Sequence, residues 1–311
     1  MRGRMHSSGR TNFSGVRGQR GIAFILVLWV VIMLTVLLGS FAVIARTERM
    51  QSRHLFDSTQ ARYAAEAGMN LAVYEMRKND PLQRWIGDGR PYKFSFGDAE
   101  IEVSIFDDAG KVDLNTADRE LLRRMLIATA GKPDAEADKL ADAIIDWRDP
   151  DDIPSLQGAE KDDYRSADLP YGPRNAPFET VAELQQVLGM DYATFARIEP
   201  AVTIYSGRAI PSPAYAPLQS LLAMNGVTIE FANQLIARRQ LIPPGAPYDG
   251  LTMPDGTPIV ADGSGVTYSV KSRATLSNGS STVLDATLRL GGTGVDGRPY
   301  AILRWRDGED S

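Results

Sequence analysis

The 311-residue sequence contains no cysteine, which excludes a disulfide framework, a thiolate nucleophile and any cysteine-bound metal. Histidine is almost as scarce. His6 lies near the start and His54 just beyond an apolar run, so the remaining two hundred and more residues cannot build a Ser-His-Asp triad. No G-x-x-x-x-G-K-[ST] stretch occurs to cradle a nucleotide phosphate. Excess positive charge is missing as well: the formal charge is −5, which gives no general attraction to nucleic acid or to an anionic lipid surface. Together these absences argue against catalysis and leave anchoring, packing and assembly as the chemistry to look for.

Two further absences coincide. No acidic residue occurs before Glu48, and no charge of either sign occurs in Ile22–Ala45, IAFILVLWVVIMLTVLLGSFAVIA. As a helix, this run is about 36 Å long, enough for the roughly 30 Å hydrocarbon core with some tilt. Arg2, Arg4, Arg10, Arg17 and Arg20 precede it. The positive-inside bias therefore predicts a cytoplasmic N-terminus and export of everything beyond residue 45, a single-pass topology. A cleaved secretory signal would also combine a basic flank with an apolar core, but its core is only about 7–15 residues long. From Arg46 to Arg77 there is no proline and apolar residues continue at largely helical spacing, so one long helix is expected from Ile22 to about Lys78.

Beyond it, Tyr92–Phe96 and Glu100–Phe106 alternate polar and apolar residues around a Gly97-containing turn, as do Val266–Thr275, Thr282–Leu290 and Tyr300–Trp305. Between these groups the period becomes helical. The expected fold class is α+β, with the N-terminal helix packed on an antiparallel sheet whose strands come from both sides of a large inserted all-α domain. The expected division is a leader over 1–21, a transmembrane helix over 22–45, helix and first strands over 46–112, the insert over 113–254 (units of about 113–207 and 211–254) and closing strands over 255–311.

Within the insert, Asp113–Leu126, Pro177–Ile198 and Ala216–Arg239 share a plan of capping residue, short helix with paired leucines and, in the last two, a turn into a second helix. Asn115 or Thr116 is the expected N-cap of the first, with Glu120 near the position that completes a capping box. Such units resemble helix-hairpin-helix or SAM-like modules, which raises the alternative of a membrane-anchored DNA-binding or uptake protein. Charge opposes it: residues 111–206 hold 11 Lys/Arg against 19 Asp/Glu, whereas phosphate contact depends on cationic neutralisation. Packing and docking surfaces, with no nucleic-acid partner, are the expectation. Trp147 beside Arg148 and Trp305 between Arg304 and Arg306 read as core or sheet-face anchors.

Acidic density peaks over Asp146–Asp168. Asp149, Asp151 and Glu160 occupy the first, third and twelfth places of a loop spaced like an EF-hand. Pro154 stands where the sixth-position glycine belongs, Ile153 cannot ligate at the fifth, and Asp152, Asp162 or Asp163 would have to contribute. An oxygen-only site suits calcium. On the residues alone, a solvated acidic loop and a calcium site are both open.

Gly21, preceded by Arg20 and followed by the long apolar helix, resembles the leader of type IV pilins and type II secretion pseudopilins. The resemblance implies cleavage by a prepilin peptidase between Gly21 and Ile22 and methylation of the new terminus. Ordinary members carry glutamate at the fifth mature position. This chain has Leu26 there, and in that it is similar to the K-type minor pseudopilins, which the helical insert also resembles. A carboxylate in lipid is costly without a neighbour's amine to pair with, so a subunit with none ahead of it needs no such glutamate. The family implies a tip-capping subunit of the periplasmic pseudopilus that supports export of folded proteins. It further implies partners among the I- and J-type minor pseudopilins and a structural calcium in the insert. Processing is directly testable: mass spectrometry should find residues 1–21 removed when the peptidase is present, and Gly21→Ala should leave the uncleaved precursor.

Overall fold

The computed structural model describes residues 20–261, 265–291 and 300–308. The chain forms two compact units, residues 1–57 and 58–311. Helix α1 (Arg20–Met76) begins in the first and ends in the second.

In the first unit every large apolar residue from Phe24 to Ile44 is exposed. Among the described residues, one helix is apolar and long enough to cross a membrane. Its few polar groups are satisfied internally, with Thr35 Oγ1 donating to the Val31 carbonyl at 2.8 Å and Ser40 Oγ to the Val36 carbonyl at 2.9 Å. Gly21 and Ile22 enter only as backbone of the first turn, and the rest of the leader lies outside the described residues.

The second unit is built on a five-stranded antiparallel sheet, β1 (Asp88–Phe96), β2 (Ala99–Asp107), β5 (Thr267–Leu276), β6 (Ser281–Leu290) and β7 (Tyr300–Gly308), in that spatial order. The expected strands all form, and β2 pairs directly with β5 from Ala99 opposite Leu276 to Asp107 opposite Tyr268. Period-two alternation turns Ile101, Val103 and Ile105 of β2 and Val270 and Ala274 of β5 to one face. Ala61, Ala64, Ala65, Met69, Ala72 and Val73 of α1 complete this core.

The small residues of α1 are what allow its axis near the sheet. A Cβ added at Gly68 would meet Ser272 Oγ at 2.4 Å and Ile101 Cγ2 at 2.8 Å, so helix backbone lies directly on the strands there. Ser272 Oγ is buried under it with no hydrogen-bond partner.

The chain leaves the sheet after β2 and returns at β5. In between lie α2 (Arg119–Ala128), α3 (Asp134–Arg148), α4 (Lys161–Ser166), α5 (Tyr192–Ile198), α6 (Leu218–Leu222) and α7 (Ile229–Gln240). Two short parallel strands, β3 (Val112–Asp113) and β4 (Val202–Thr203), bracket α2 to α5. That region buries one core around Leu122, Met125, Ile144, Trp147 and Leu184, so Trp147 is a core residue. A second core, around Tyr215, Leu221, Leu235 and Ile259, holds α6 and α7. The latter is fastened to β1 by Arg239, which is 1% exposed and donates to the carbonyls of Pro213 at 2.9 Å and Asp88 at 3.0 Å.

The cap of α2 differs from the expectation. Asp118, not Asn115 or Thr116, accepts from the Leu121 amide at 2.7 Å. Asn115 instead accepts the Phe178 amide at 2.7 Å and donates to the Phe178 carbonyl at 3.1 Å, a strand-like pairing that spends both ends of its amide elsewhere.

Overpacking at the helix–sheet crossing gives a direct check. Gly68→Leu should lower the unfolding free energy of the detergent-solubilised chain by about 1–3 kcal/mol in urea titration, while Ser272→Ala should cost nothing measurable. Gly68→Ala should be better tolerated in the Ser272→Ala background, because the nearest clashing atom is then gone.

Candidate functional site: a carboxylate loop at the end of α3

Helix α3 carries Asp142 and Asp146 on consecutive turns of one face, and both are buried. The loop that follows, Asp149 to Glu160, folds back and spends its amides on them. The Ser155 amide reaches Asp146 Oδ1 at 3.1 Å, the Ala159 amide reaches Asp146 Oδ2 at 2.8 Å, and the Gln157 amide reaches Asp142 Oδ2 at 3.0 Å. Asp142 also pairs with Arg119 of α2. Gly158 is required by closeness: a Cβ there would fall 1.8 Å from Asp146 Oδ2. The acidic segment is thus not a free loop but a strap tied to the helix end through alternate backbone amides.

Inside the strap the carboxylates are under-satisfied. Glu160 is 7% exposed, and neither of its side-chain oxygens has a hydrogen-bond partner. The neighbouring Asp163 amide donates to the Glu160 carbonyl at 2.8 Å. Asp149 Oδ1 is likewise buried and unpartnered. Burial, then the nearby charges of Asp146, Asp149, Asp152 and Asp151, push the Glu160 carboxyl up to about 7. Burial and the fields of Asp146 and Asp151 also raise Asp149, with Arg148 opposing weakly. Arg148 itself points elsewhere, donating to the carbonyls of Leu114 and Ala117. The C-terminal end of α3 adds partial negative charge at the same place.

The other expected ligands are occupied differently. Asp151 Oδ1 accepts the Ile153 amide at 2.9 Å, and Asp152 Oδ1 accepts from Asn175 Nδ2 at 2.8 Å. Asp162 is exposed and paired with Arg165 at 2.6 Å, and Asp163 accepts the Glu160 amide at 2.9 Å. Among the described residues, no three acidic or histidine side chains converge as positioned to hold an ion. The donor chemistry nevertheless suits a hard cation, because Asp149 Oδ1 and both side-chain oxygens of Glu160 are buried oxygen acceptors without partners.

Two participants escaped the sequence reading. Asp146 sits one turn before the apparent loop and looks like an ordinary helix residue. Asn175 is far along the chain, yet its left-handed backbone (φ 51°) lets its amide bond the Trp147 carbonyl at 3.0 Å. Its side-chain Nδ2 spans the loop to the Asp151 carbonyl, while its Oδ1 remains buried without a partner. An asparagine able to adopt positive φ before Ala-Pro was the available signal.

A family model described as type II secretion system (T2SS), protein K, matches residues 105–207, the stretch that includes this loop. A type II secretion system protein K from Klebsiella pneumoniae is 29% identical over 251 residues, covering 71% of this chain and 75% of that protein. One from Pseudomonas aeruginosa is 29% identical over 209 residues, covering 60% and 62%. The solved GspK-GspI-GspJ complex from enterotoxigenic Escherichia coli contains a chain of the same fold. The TM-score is 0.54 at 17% identity, over 86% of this chain and 99% of that one.

The raised Glu160 carboxyl has a definite pH consequence. Its folded pKa of about 7 exceeds its ordinary value of 4.5, so its contribution to stability is fully present below about 4.5 and is lost as pH rises through 7. In chelator-treated protein the difference in unfolding free energy between Glu160→Gln and wild type should therefore grow in favour of the variant between about pH 4.5 and 7.5. A difference that stays flat over that range would show that Glu160 is solvated.

Proposed function

We propose that this chain is a protein K of type II secretion systems, a structural and not an enzymatic component, and that it is the minor pseudopilin capping the tip of the periplasmic pseudopilus. The observation that carries this reading is architectural. An apolar helix feeds a helix-on-sheet part whose strands β2 and β5 are interrupted by a helical insert larger than that part itself. A fibre built by side-by-side packing of the helix-and-sheet part has no room for such an insert between subunits, so the subunit belongs at an end, where it supports export of folded proteins.

The first 21 residues are the leader removed by the prepilin peptidase, and the apolar half of α1 holds the subunit in the inner membrane, N-terminus cytoplasmic, before assembly. The new terminus at Ile22 is methylated. Leu26 in place of a glutamate fits a subunit with no neighbour ahead of it. The partners are the I- and J-type minor pseudopilins, a reading supported by the likeness in fold to the Escherichia coli GspK, which was solved in complex with GspI and GspJ.

Calcium is the structural cofactor of the insert in this reading. Asp149, Glu160 and Asn175 supply the unpartnered buried oxygens, and Asp151 and Asp152 lie beside them. Asp162 and Asp163 would have to give up Arg165 and the Glu160 amide to join. A bound divalent ion offsets the repulsion among these groups and stabilises the strap on α3.

Two measurements test this function. Co-expressed with I- and J-type pseudopilins, the full chain should co-purify with them and ignore duplex DNA at about 150 mM salt; nanomolar DNA binding without a pilin partner would reverse the reading. Calcium at about a hundred times Kd should add about 2.7 kcal/mol, raising Tm by roughly 5–10 °C. Asp149→Asn with Glu160→Gln should erase that shift without lowering the stability of the chelated protein. Identical melting with chelator and with millimolar calcium would sink the cofactor assignment.

A further inference from the structure

The strap has an outer side. Its amides at 155, 157 and 159 all point inward to Asp146 and Asp142, so the side chains between them are turned out. Leu156 is 92% exposed and Ile153 is 74% exposed, the former the most exposed large apolar residue among those described. Pro150 before the tip and Pro154 within it restrict the backbone, which limits the entropy lost if this tip is engaged. A surface leucine is ordinary by itself. Two large aliphatics three positions apart, held outward by a tied backbone, form a preorganised knob.

Its surroundings state what can receive it. Asp146 to Asp168 holds eight carboxylates against three cations, Arg148, Lys161 and Arg165. Of these cations Arg148 is turned inward and Arg165 is paired with Asp162, while Asp151 and Asp152 are exposed directly beside Ile153. A single divalent ion in the strap would reduce this excess without cancelling it. An anionic bilayer is repelled by such a surface, and a purely apolar groove would leave its rim charges unmatched.

We infer that Ile153 and Leu156 form a docking knob for a protein partner that offers an apolar pocket rimmed by lysine or arginine. Aliphatic anchors would carry the affinity and the acidic rim would set the orientation and the association rate. The inference does not depend on the fibre-tip reading, which the co-purification above tests independently.

The test uses the detergent-solubilised full chain and a fluorescent amphipathic leucine–lysine peptide as probe, with its leucine–glutamate counterpart and phosphatidylglycerol vesicles as controls. The lysine peptide should bind, more weakly as salt rises, and Ile153→Ser with Leu156→Ser should weaken it about tenfold. Leu241→Ser, which removes another exposed leucine in the insert (83% exposed), should leave binding unchanged. Equal affinity for wild type and the double variant would overturn the proposal. So would preference for the glutamate peptide, or Leu156-dependent binding to the vesicles, which would make the receptor a lipid surface.

Discussion

The soluble unit depends on closing a sheet across its largest interruption. β2 and β5 are adjacent and fully paired, yet the whole helical insert lies between Asp107 and Thr267. Loop-closure entropy rises only slowly with length, so the insertion is tolerable if the two crossing points are held together. Two neighbouring carboxylates do this. Asp107 accepts the Ala109 amide on the way out at 2.9 Å and the Gly265 amide on the way back at 2.8 Å. Asp108 accepts hydroxyl hydrogens from Ser269 of β5 at 2.8 Å and from Thr203 of β4 at 2.7 Å, and pairs with Lys111 at 3.2 Å. Burial holds the Asp107 carboxyl up at about 6, a cost the two amides only partly offset. Everything in the insert is positioned from this seam.

The same logic recurs at α3. Asp146, like Asp107, is a buried carboxylate whose oxygens are met by backbone amides of a returning loop. The two sites differ in what stands behind them. At the seam the remaining carboxylate finds a lysine and two hydroxyls; in the strap Glu160 finds only more negative charge, and Asp149 finds more negative charge that Arg148 opposes only weakly. A buried carboxylate without a donor loses its hydration and gains nothing in return. The first site is therefore complete as folded, whereas the second leaves buried carboxylate oxygens without donors.

Legibility in the sequence followed the range of the interactions. The strands could be read because burial on one face forces alternation that is visible over five residues, and α1 because its period and its lack of charge persist for dozens. The two-residue strands β3 and β4 have too few positions to show a period, and they pair residues ninety apart in the chain. The stretch Val181–Gln186, read as the helix of a repeated unit, is a 3₁₀ turn, a distinction that propensity does not resolve. The acidic spacing pointed to the strap, but only the fold brings Asn175 to it, because that contact rests on a single backbone conformation well beyond the loop.

Composition along α1 shows how one helix serves two surroundings. Its first half carries exposed Leu, Ile, Val and Phe, the composition that a candidate membrane-spanning helix requires. Its second half needs the reverse: at Gly68 no side chain larger than hydrogen fits, and alanines at 61, 64, 65 and 72 keep the neighbouring turns near the strands. Replacing that small-residue face with the leucines of the first half would lift the helix off Ile101 and Val103. The sheet would then lose the cover on its apolar side, and with it the driving force that closes β2 onto β5 across the insert. The insert can be large because the surface beneath it is held by residues with almost no side chain.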